Sequence, residues 1–245
     1  MANQIPRPDT ALHNTSHLMQ YHDLIESIVA AMDARDAYTA KHSDRVADMV
    51  LVLATALDLS EDETTLLHMA AHLHDIGKIA VPDSVLRKAG PLTNPEWEEM
   101  RRHPVTGYEI LRKVDDFKEI AVLVRHHHER WDGRGYPDGL RGADIPLGSR
   151  ILAVADSIDA MMSSRSYRPA MTSAACRREI ERNSGIMYDP CVAAAALENW
   201  DELVSRYAEA DTPQTPYFDR MQLEHTRQAH DYLLTHQGSR ITLPE

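Results

Sequence analysis

The chain has 245 residues, of which 43% are hydrophobic and 26% charged, as in globular proteins with one main core. Its formal net charge of −12 argues against a broad basic groove, so we expect no DNA or RNA polymer as a partner. No apolar stretch approaches the roughly 20 residues of a membrane span, and a signal peptide is not recognisable. The two cysteines form no CxxC pair, so we predict two free thiols in a reducing cytoplasm. Together these features predict a cytoplasmic protein that does not contact the membrane.

The first third of the chain predicts two helices. Residues 1–19 are rich in proline and polar side chains, so we expect a loose segment. A first helix is predicted from about residue 21, because apolar residues recur there at helical spacing: Leu24, Ile25, Ile28, Val29 and Met32. A second helix is predicted over about 39–57, with His42 on its buried face.

The next elements are predicted from capping signals. Ser60 and Glu63 form a capping-box pattern at the start of a third helix, and Gly77 is expected to mark the exit from that helix. A connecting loop is expected over 81–91. Thr93 then caps a short helix in which Trp97 is expected to make apolar contacts.

The second half of the chain also predicts helices. His103 and Pro104 open one helix, and the next carries His127 and His128 at its C-terminal end. Residues 147–161 are nearly all apolar and predict a buried helix. The last helices of the domain are predicted near 173–183 and 190–207. Because no strand alternation is present, the predicted fold class is all-α.

Three regions are predicted along the chain: a loose segment (1–19), a helical domain (20–207), and a linker with a helical tail (208–245). The tail is expected either to pack on the domain or to pair with another subunit. About 20 residues precede the first helix, so we expect no receiver or sensory domain before it. Regulation would then act through the tail, a partner, the metal supply or the redox state.

Histidines next to carboxylates at the ends of apolar helical stripes predict a metal centre. The candidate ligands are His42, His74, Asp75, His103, His127, His128 and Asp156. A hydrogen bond between helices is the alternative for Asp156, but five histidines of the same kind favour a ligand role. Seven ligands exceed one tetrahedral site, so we expect two ions bridged by a carboxylate. Imidazole and carboxylate suit iron, manganese, zinc, cobalt or nickel without separating them.

Other histidines receive a structural interpretation. His68 and His72 have helical metal-pair spacing, but no carboxylate joins them at the required offset, so we interpret them as one polar helix face. His126 precedes the ligand pair and is expected to point away from it.

An ordered set of motifs between Asp36 and Ala194 resembles the HD-GYP domain, a branch of the HD phosphohydrolase superfamily that acts on cyclic di-GMP. The matching segments are Asp36–Val46, His74–Lys78, His103-Pro104, His127–Pro137, Asp156–Ala160, Arg165–Arg168 and Tyr188–Pro190. The segment His127–Pro137 carries the Gly135-Tyr136-Pro137 sequence of the family. A bare His-Asp pair would be weak evidence, whereas this ordered set is specific.

The resemblance implies an all-α HD-superfamily helical bundle with a dinuclear metal site and a C-terminal helical extension. It implies one metal bound by His42, His74, Asp75 and Asp156, and a second bound by His103, His127 and His128, with Asp75 bridging. Some family members hold a third ion with a glutamate four residues before the first histidine. Tyr38 occupies that position here, so two ions are favoured and a third stays open. Iron is expected first and manganese second, with zinc, nickel and cobalt also open.

The resemblance also implies the reaction, which is hydrolysis of cyclic di-GMP to pGpG, with onward cleavage to GMP left open. Asp75 and Lys78 would be catalytic. The implied substrate contacts are Lys78, Tyr136, Arg165 and Arg168. The residues alone leave Lys78 open as a cation at a helix C-terminus, and the two arginines as part of a solvated loop.

Two alternatives stay open at this point. The same chemistry could act on another nucleotide, such as cyclic GMP-AMP or a linear phosphoester. A slow enzyme could instead serve as a cyclic di-GMP sensor that displays a surface to diguanylate cyclases or adaptor proteins, and a homodimer is a further option. The intact ligand set favours an enzyme, because a sensor does not need every metal ligand.

Overall fold

The computed structural model describes residues 21–35, 41–164 and 169–209, which lie in one compact unit covering residues 1–211. These residues form α-helices and short 3-10 turns, with a single isolated bridge between Ser184 and Tyr188 and no strand, which confirms the all-α class. The helices in the described ranges are α1 (His22–Arg35), α2 (His42–Ala56), α3 (Glu61–Leu73), α4 (Asp83–Leu86), α5 (Asn94–Met100), α6 (His103–Leu111), α7 (Lys118–His126), α8 (Leu147–Met162), α9 (Ser173–Asn183), α10 (Pro190–Glu198) and α11 (Trp200–Glu209). The 3-10 turns are Ile76–Ala80, Asp115–Phe117 and Gly142–Asp144.

The core lies around α2, which packs against α3, α8 and α11. Its apolar stripe is fully buried, with Val46, Met49, Val50 and Leu53 all at 0% exposure. Helix α7 closes the other side by packing on α3 and α6. Each buried side chain of this size contributes about 1.5–3 kcal/mol to folding, so this core holds the helix ends that carry the polar residues in fixed positions.

Two helix starts are capped as the sequence predicts. The Ser60 backbone N–H donates to Glu63 at 2.9 Å, and the Glu63 N–H donates to the Ser60 hydroxyl at 3.3 Å. At α5 the backbone N–H and the hydroxyl of Thr93 both donate to Glu96, at 2.7 and 2.8 Å. These bonds satisfy backbone groups that the first turn of a helix leaves without partners.

Several local predictions are wrong. Leu24 is 54% exposed although its neighbour Ile25 is 2% exposed, so only part of the predicted stripe of α1 faces the core. Trp97 is 46% exposed rather than packed. The loop over 81–91 contains α4. The helix predicted over 190–207 is two helices, α10 and α11. At Asn199, between them, the side-chain amide donates to the Ala195 carbonyl at 2.9 Å.

Two further findings concern the cysteines and the length of the helices. Cys176 is buried and Cys191 is exposed, and both are free thiols as predicted. Within the described ranges, no helix combines the length and the apolar character needed to cross a membrane. The predicted linker and tail, 208–245, lie outside the described residues except for the last two residues of α11.

Candidate metal centre

Six of the seven predicted ligands form two triads. His42, His74 and Asp156 make the first triad, and His103, His127 and His128 make the second. Within each triad the possible ligand atoms lie within 4.8 Å of one another. The sequence therefore predicts which residues the fold brings together, and the division into two groups matches the one that the resemblance implies.

Helix ends deliver most of these side chains. His42 is the first residue of α2 and His103 the first of α6, while His74 and His127 directly follow the last residues of α3 and α7. Asp156 differs, because it projects from the middle of α8. Helix ends can point side chains at a common site while the apolar stripes of the same helices stay in the core.

At Gly77 the backbone of the 3-10 turn lies too close to α6 for a side chain to fit between them. A Cβ on Gly77 would lie 1.9 Å from the carbonyl oxygen of His103 and 2.6 Å from the backbone nitrogen of Gly107. The prediction that Gly77 ends a helix is wrong, since α3 ends at Leu73 and Gly77 lies within the following 3-10 turn. Its missing side chain lets this turn pack directly on α6.

Four imidazoles of the two triads pair through their Nε2 atoms, and three of them also use Nδ1 in the same way. The Nε2 atoms meet in pairs, His42 with His74 at 3.2 Å and His103 with His127 at 3.3 Å. Three Nδ1 atoms donate to the backbone carbonyl three residues earlier, those of His74 at 2.6 Å, His103 at 2.8 Å and His127 at 2.6 Å. A histidine whose Nδ1–H is held in this way offers its Nε2 lone pair, so the donor set fits divalent transition-metal ions.

Asp75 lies between the triads and is 3% exposed. Its Oδ1 is 3.4 Å from His103 Nε2, and its Oδ2 is 3.6 Å from His74 Nε2 and 3.8 Å from His42 Nε2. One oxygen therefore faces each group of histidines, which is the arrangement that a bridging ligand needs. Lys78 Nζ lies 2.5 Å from Oδ2. Burial acts to raise the pKa of Asp75, but the Lys78 ammonium and the nearby histidines hold this pKa well below its ordinary value.

Asp159 binds the His42 nitrogen that does not face the other ligands. The Nδ1 of His42 donates to Oδ2 of Asp159 at 2.6 Å, and Arg45 donates to the other carboxylate oxygen. Ser163 lies 3.3 Å from Arg45 and 3.3 Å from the Tyr207 hydroxyl, which donates to the carbonyl of Met162 at 2.8 Å. This hydrogen-bonded chain fixes the orientation of the His42 ring and connects it to α11.

His42 and the three histidines of the second triad differ in their affinity for protons. Burial is the main cause that lowers the pKa of His103 to about 3 and of His127 to about 4, and it also holds the pKa of His128 well below its usual range. Burial acts in the same sense on His42, but the bond to Asp159 and the charge of Asp156 outweigh it and raise the pKa of His42. At neutral pH the second triad is therefore ready to bind a metal without losing protons.

The loop after His128 folds back over the centre. The Tyr136 ring lies 4.9 Å from the His128 ring, and the Tyr136 backbone N–H donates to the His128 carbonyl at 3.2 Å. Glu129, which is 4% exposed, accepts from the backbone N–H groups of Asp138 at 2.7 Å and Gly139 at 3.0 Å. These bonds anchor the loop at both ends. Burial raises the pKa of Tyr136, and the charges of Asp156 and Asp75 add to this shift.

Gly135 is needed for this fold of the loop. A Cβ at Gly135 would lie 2.3 Å from the backbone nitrogen of Arg130 and 2.5 Å from the Cα of Glu129. The absence of a side chain at Gly135 therefore permits contact between two parts of the same loop.

Arg165, Arg168 and Tyr38 are outside the described residues. His126 belongs to neither triad, since its Nδ1 donates to the Val122 carbonyl at 2.9 Å and its Nε2 lies 3.0 Å from Asp138. The interpretation of His68 and His72 as a polar helix face is wrong, because both are buried, with 3.2 Å between their Nε2 atoms. His68 also lies 3.4 Å from the Ala47 carbonyl, so these side chains pack between α2 and α3.

Comparison with known proteins shows the family of the chain. The sequence pattern of the HD domain family matches residues 23–192. The cyclic di-GMP phosphodiesterase response regulator RpfG of Xanthomonas campestris is 44% identical over 175 residues, which are 70% of this chain and 46% of that protein. The 3'3'-cGAMP-specific phosphodiesterase 2 of Vibrio cholerae is 40% identical over 188 residues, which are 75% of this chain and 35% of that protein. The chain thus spans less than half the length of these two curated relatives.

A solved structure supports the same fold. A cyclic GMP-AMP-specific phosphodiesterase of Vibrio cholerae superposes with a TM-score of 0.62 at 20% identity, covering 82% of this chain and 52% of that one. At this level of identity the likeness concerns the fold alone.

Proposed function

Because the chain belongs to the HD domain family, we propose that it is a metal-dependent phosphodiesterase that hydrolyses cyclic di-GMP to linear pGpG, with GMP as a further product. The observation that carries this proposal is the pair of ligand triads with Asp75 between them. The name of the relative that is 44% identical supports the choice of substrate.

Two divalent ions complete the proposed site. His42, His74, Asp75 and Asp156 would hold one ion, and His103, His127 and His128 the other, with Asp75 bridging. Iron is proposed as the metal, with manganese second. Bound in this way, the two ions would supply Lewis-acid activation of the phosphodiester and of the attacking water.

The protein's own side chains would bind and orient the nucleotide. Lys78 places its ammonium 2.5 Å from Asp75, so a phosphate at the centre would meet a positive charge beside the bridging carboxylate. The Tyr136 ring would cover the nucleotide next to the second triad, in a loop that Glu129 holds in place. Arg165 and Arg168 are proposed as further phosphate contacts on the strength of the family motif.

Cyclic GMP-AMP is the second candidate substrate. It is favoured by the relative that is 40% identical and named as specific for 3'3'-cGAMP. We further propose that the catalytic domain covers residues 20–207, and that the protein acts in the cytoplasm. A homodimer, or an interaction with diguanylate cyclases or adaptor proteins, would connect it to signalling.

The test is anaerobic incubation of Fe(II)- or Mn(II)-loaded protein with cyclic di-GMP, with products resolved by chromatography. Parallel reactions contain cyclic GMP-AMP, and the Asp75→Ala variant is the control. We expect pGpG from the wild-type protein and no product from the variant. Intact cyclic di-GMP with both ions present would contradict the proposal. Tight binding without turnover would then indicate a sensor, and cleavage of cyclic GMP-AMP alone would reassign the substrate.

A further inference from the structure

Arg101 and Trp97 lie beside the Tyr136 ring, outside the set of residues that the metal centre uses. The guanidinium carbon of Arg101 is 5.5 Å from the centre of the Tyr136 ring and 5.8 Å from the centre of the Trp97 ring. Trp97 is 46% exposed. Since the Tyr136 ring also lies 4.9 Å from His128, aromatic and cationic groups continue from the second triad to the protein surface.

The charge of Arg101 is not neutralised by a carboxylate within the part of the chain that the structure describes. The adjacent Arg102 pairs with Glu99 at 3.2 Å instead. An arginine over aromatic rings presents a flat face for stacking and a row of N–H groups at its edge for acceptors. Arg101 is exposed at this position, so it can contact a ligand.

We propose that Arg101 and Trp97 bind one guanine base of the substrate, and that Arg101 selects guanine over adenine. This inference rests on the proposed function. When a phosphate of a cyclic dinucleotide lies at the metal ions, the base on the adjoining ribose extends beyond them, and the exposed aromatic surface lies there to receive it. Stacking on Trp97 accepts either purine, because every base has an aromatic face.

The edge of Arg101 distinguishes the two purines. Guanine presents two acceptors, O6 and N7, which match two N–H groups of an arginine. Adenine presents N7 as an acceptor but its N6 amino group as a donor, so one N–H of Arg101 would oppose another donor. Arg101 therefore favours a substrate with guanine at this position.

The experiment compares kcat/KM of metal-loaded wild-type protein with Arg101→Ala, Trp97→Ala and the control Arg102→Ala. The substrates are cyclic di-GMP, cyclic GMP-AMP, cyclic di-AMP and bis(p-nitrophenyl) phosphate, which has no base. We expect Arg101→Ala to lower kcat/KM for cyclic di-GMP about tenfold or more. The ratio of kcat/KM for cyclic di-GMP to kcat/KM for cyclic di-AMP should fall by the same factor. Trp97→Ala should raise KM for all three dinucleotides without changing this preference.

Metal content should stay unchanged in all variants, as should every rate of Arg102→Ala. An equal loss on all nucleotides in Arg101→Ala would indicate a phosphate contact and overturn the base assignment, and unchanged rates or lost metal would also overturn it. If the wild-type protein cleaves bis(p-nitrophenyl) phosphate but neither binds nor cleaves a cyclic dinucleotide, the proposed function itself has failed, and this inference fails with it.

Discussion

Asp159→Asn tests whether the support behind His42 controls metal binding. Asp159 is 2% exposed, and its carboxylate holds both the Nδ1–H of His42 at 2.6 Å and the guanidinium of Arg45. Asparagine keeps the shape and one oxygen but removes the charge. The His42 ring then loses its charged acceptor, which fixes its orientation and strengthens its Nε2 as a donor.

The expected effect has two parts. Loss of a hydrogen-bond partner behind a ligand lowers metal affinity about 10–100-fold, and here only the ion at the first triad should be affected. Removing one partner of a buried ion pair costs about 3–5 kcal/mol, and we expect the lower end because asparagine still accepts one hydrogen bond. The free energy of unfolding of the metal-free protein should fall accordingly.

The assay is a metal titration in competition with a fluorescent chelator, combined with urea unfolding of the metal-free protein. Asp138→Asn is the matched control, because Asp138 forms a similar pair with His126 at 3.0 Å outside the centre. We expect one weakened ion in Asp159→Asn and two unchanged ions in the control. Two ions of wild-type affinity in Asp159→Asn would refute the supporting role of Asp159.

Three further predictions concern packing, substrate binding and pH. Gly77→Ala should lower the melting temperature by about 4 °C or more, on a scale of roughly 2–4 °C per kcal/mol, because the added Cβ would clash with the His103 carbonyl. Gly90→Ala is the control, since no atom lies within 4 Å of a Cβ at that position, and it should leave the melting temperature unchanged. Equal melting temperatures for the two variants would contradict the close packing at Gly77. Arg165→Ala should lower kcat/KM about tenfold or more with both ions retained, since Arg165 is proposed as a charged phosphate contact, and lost metal would show that the loop is misassigned. The raised pKa of His42 and the pKa of about 3 at His103 predict that protons compete with a metal for His42 at a higher pH than for His103. In equilibrium dialysis from pH 7.5 to 5.5, the His103→Ala protein, which keeps the first triad, should therefore lose its ion before the His42→Ala protein does, and the reverse order would contradict the assignment.

Much of the fold follows from apolar periodicity and helix capping. The buried stripe of α2 and the Ser60 capping box are local patterns, so the sequence predicts them correctly. The grouping of ligands into two triads followed from the family motifs, because residue spacing alone does not define which helix ends meet. His42 is 32 residues from His74 and His103 is 24 residues from His127, and only tertiary packing joins them.

Other features depend on packing that no local pattern records. Gly77 suggested the end of a helix, but it is needed because α6 approaches the 3-10 turn at that point. His68 and His72 suggested a polar surface, yet they are buried against α2. Trp97 suggested a core contact, but its ring is 46% exposed beside Arg101, and no local pattern in the sequence records this.

The most direct test of the two-ion centre is anomalous diffraction from crystals grown anaerobically with Mn(II) or Fe(II). Data collected on both sides of the metal absorption edge locate each ion without reference to activity. We expect two peaks, one at His42, His74 and Asp156 and one at His103, His127 and His128, with Asp75 contacting both. A single peak, or peaks away from the two triads, would contradict the dinuclear centre on which the proposed phosphodiesterase depends.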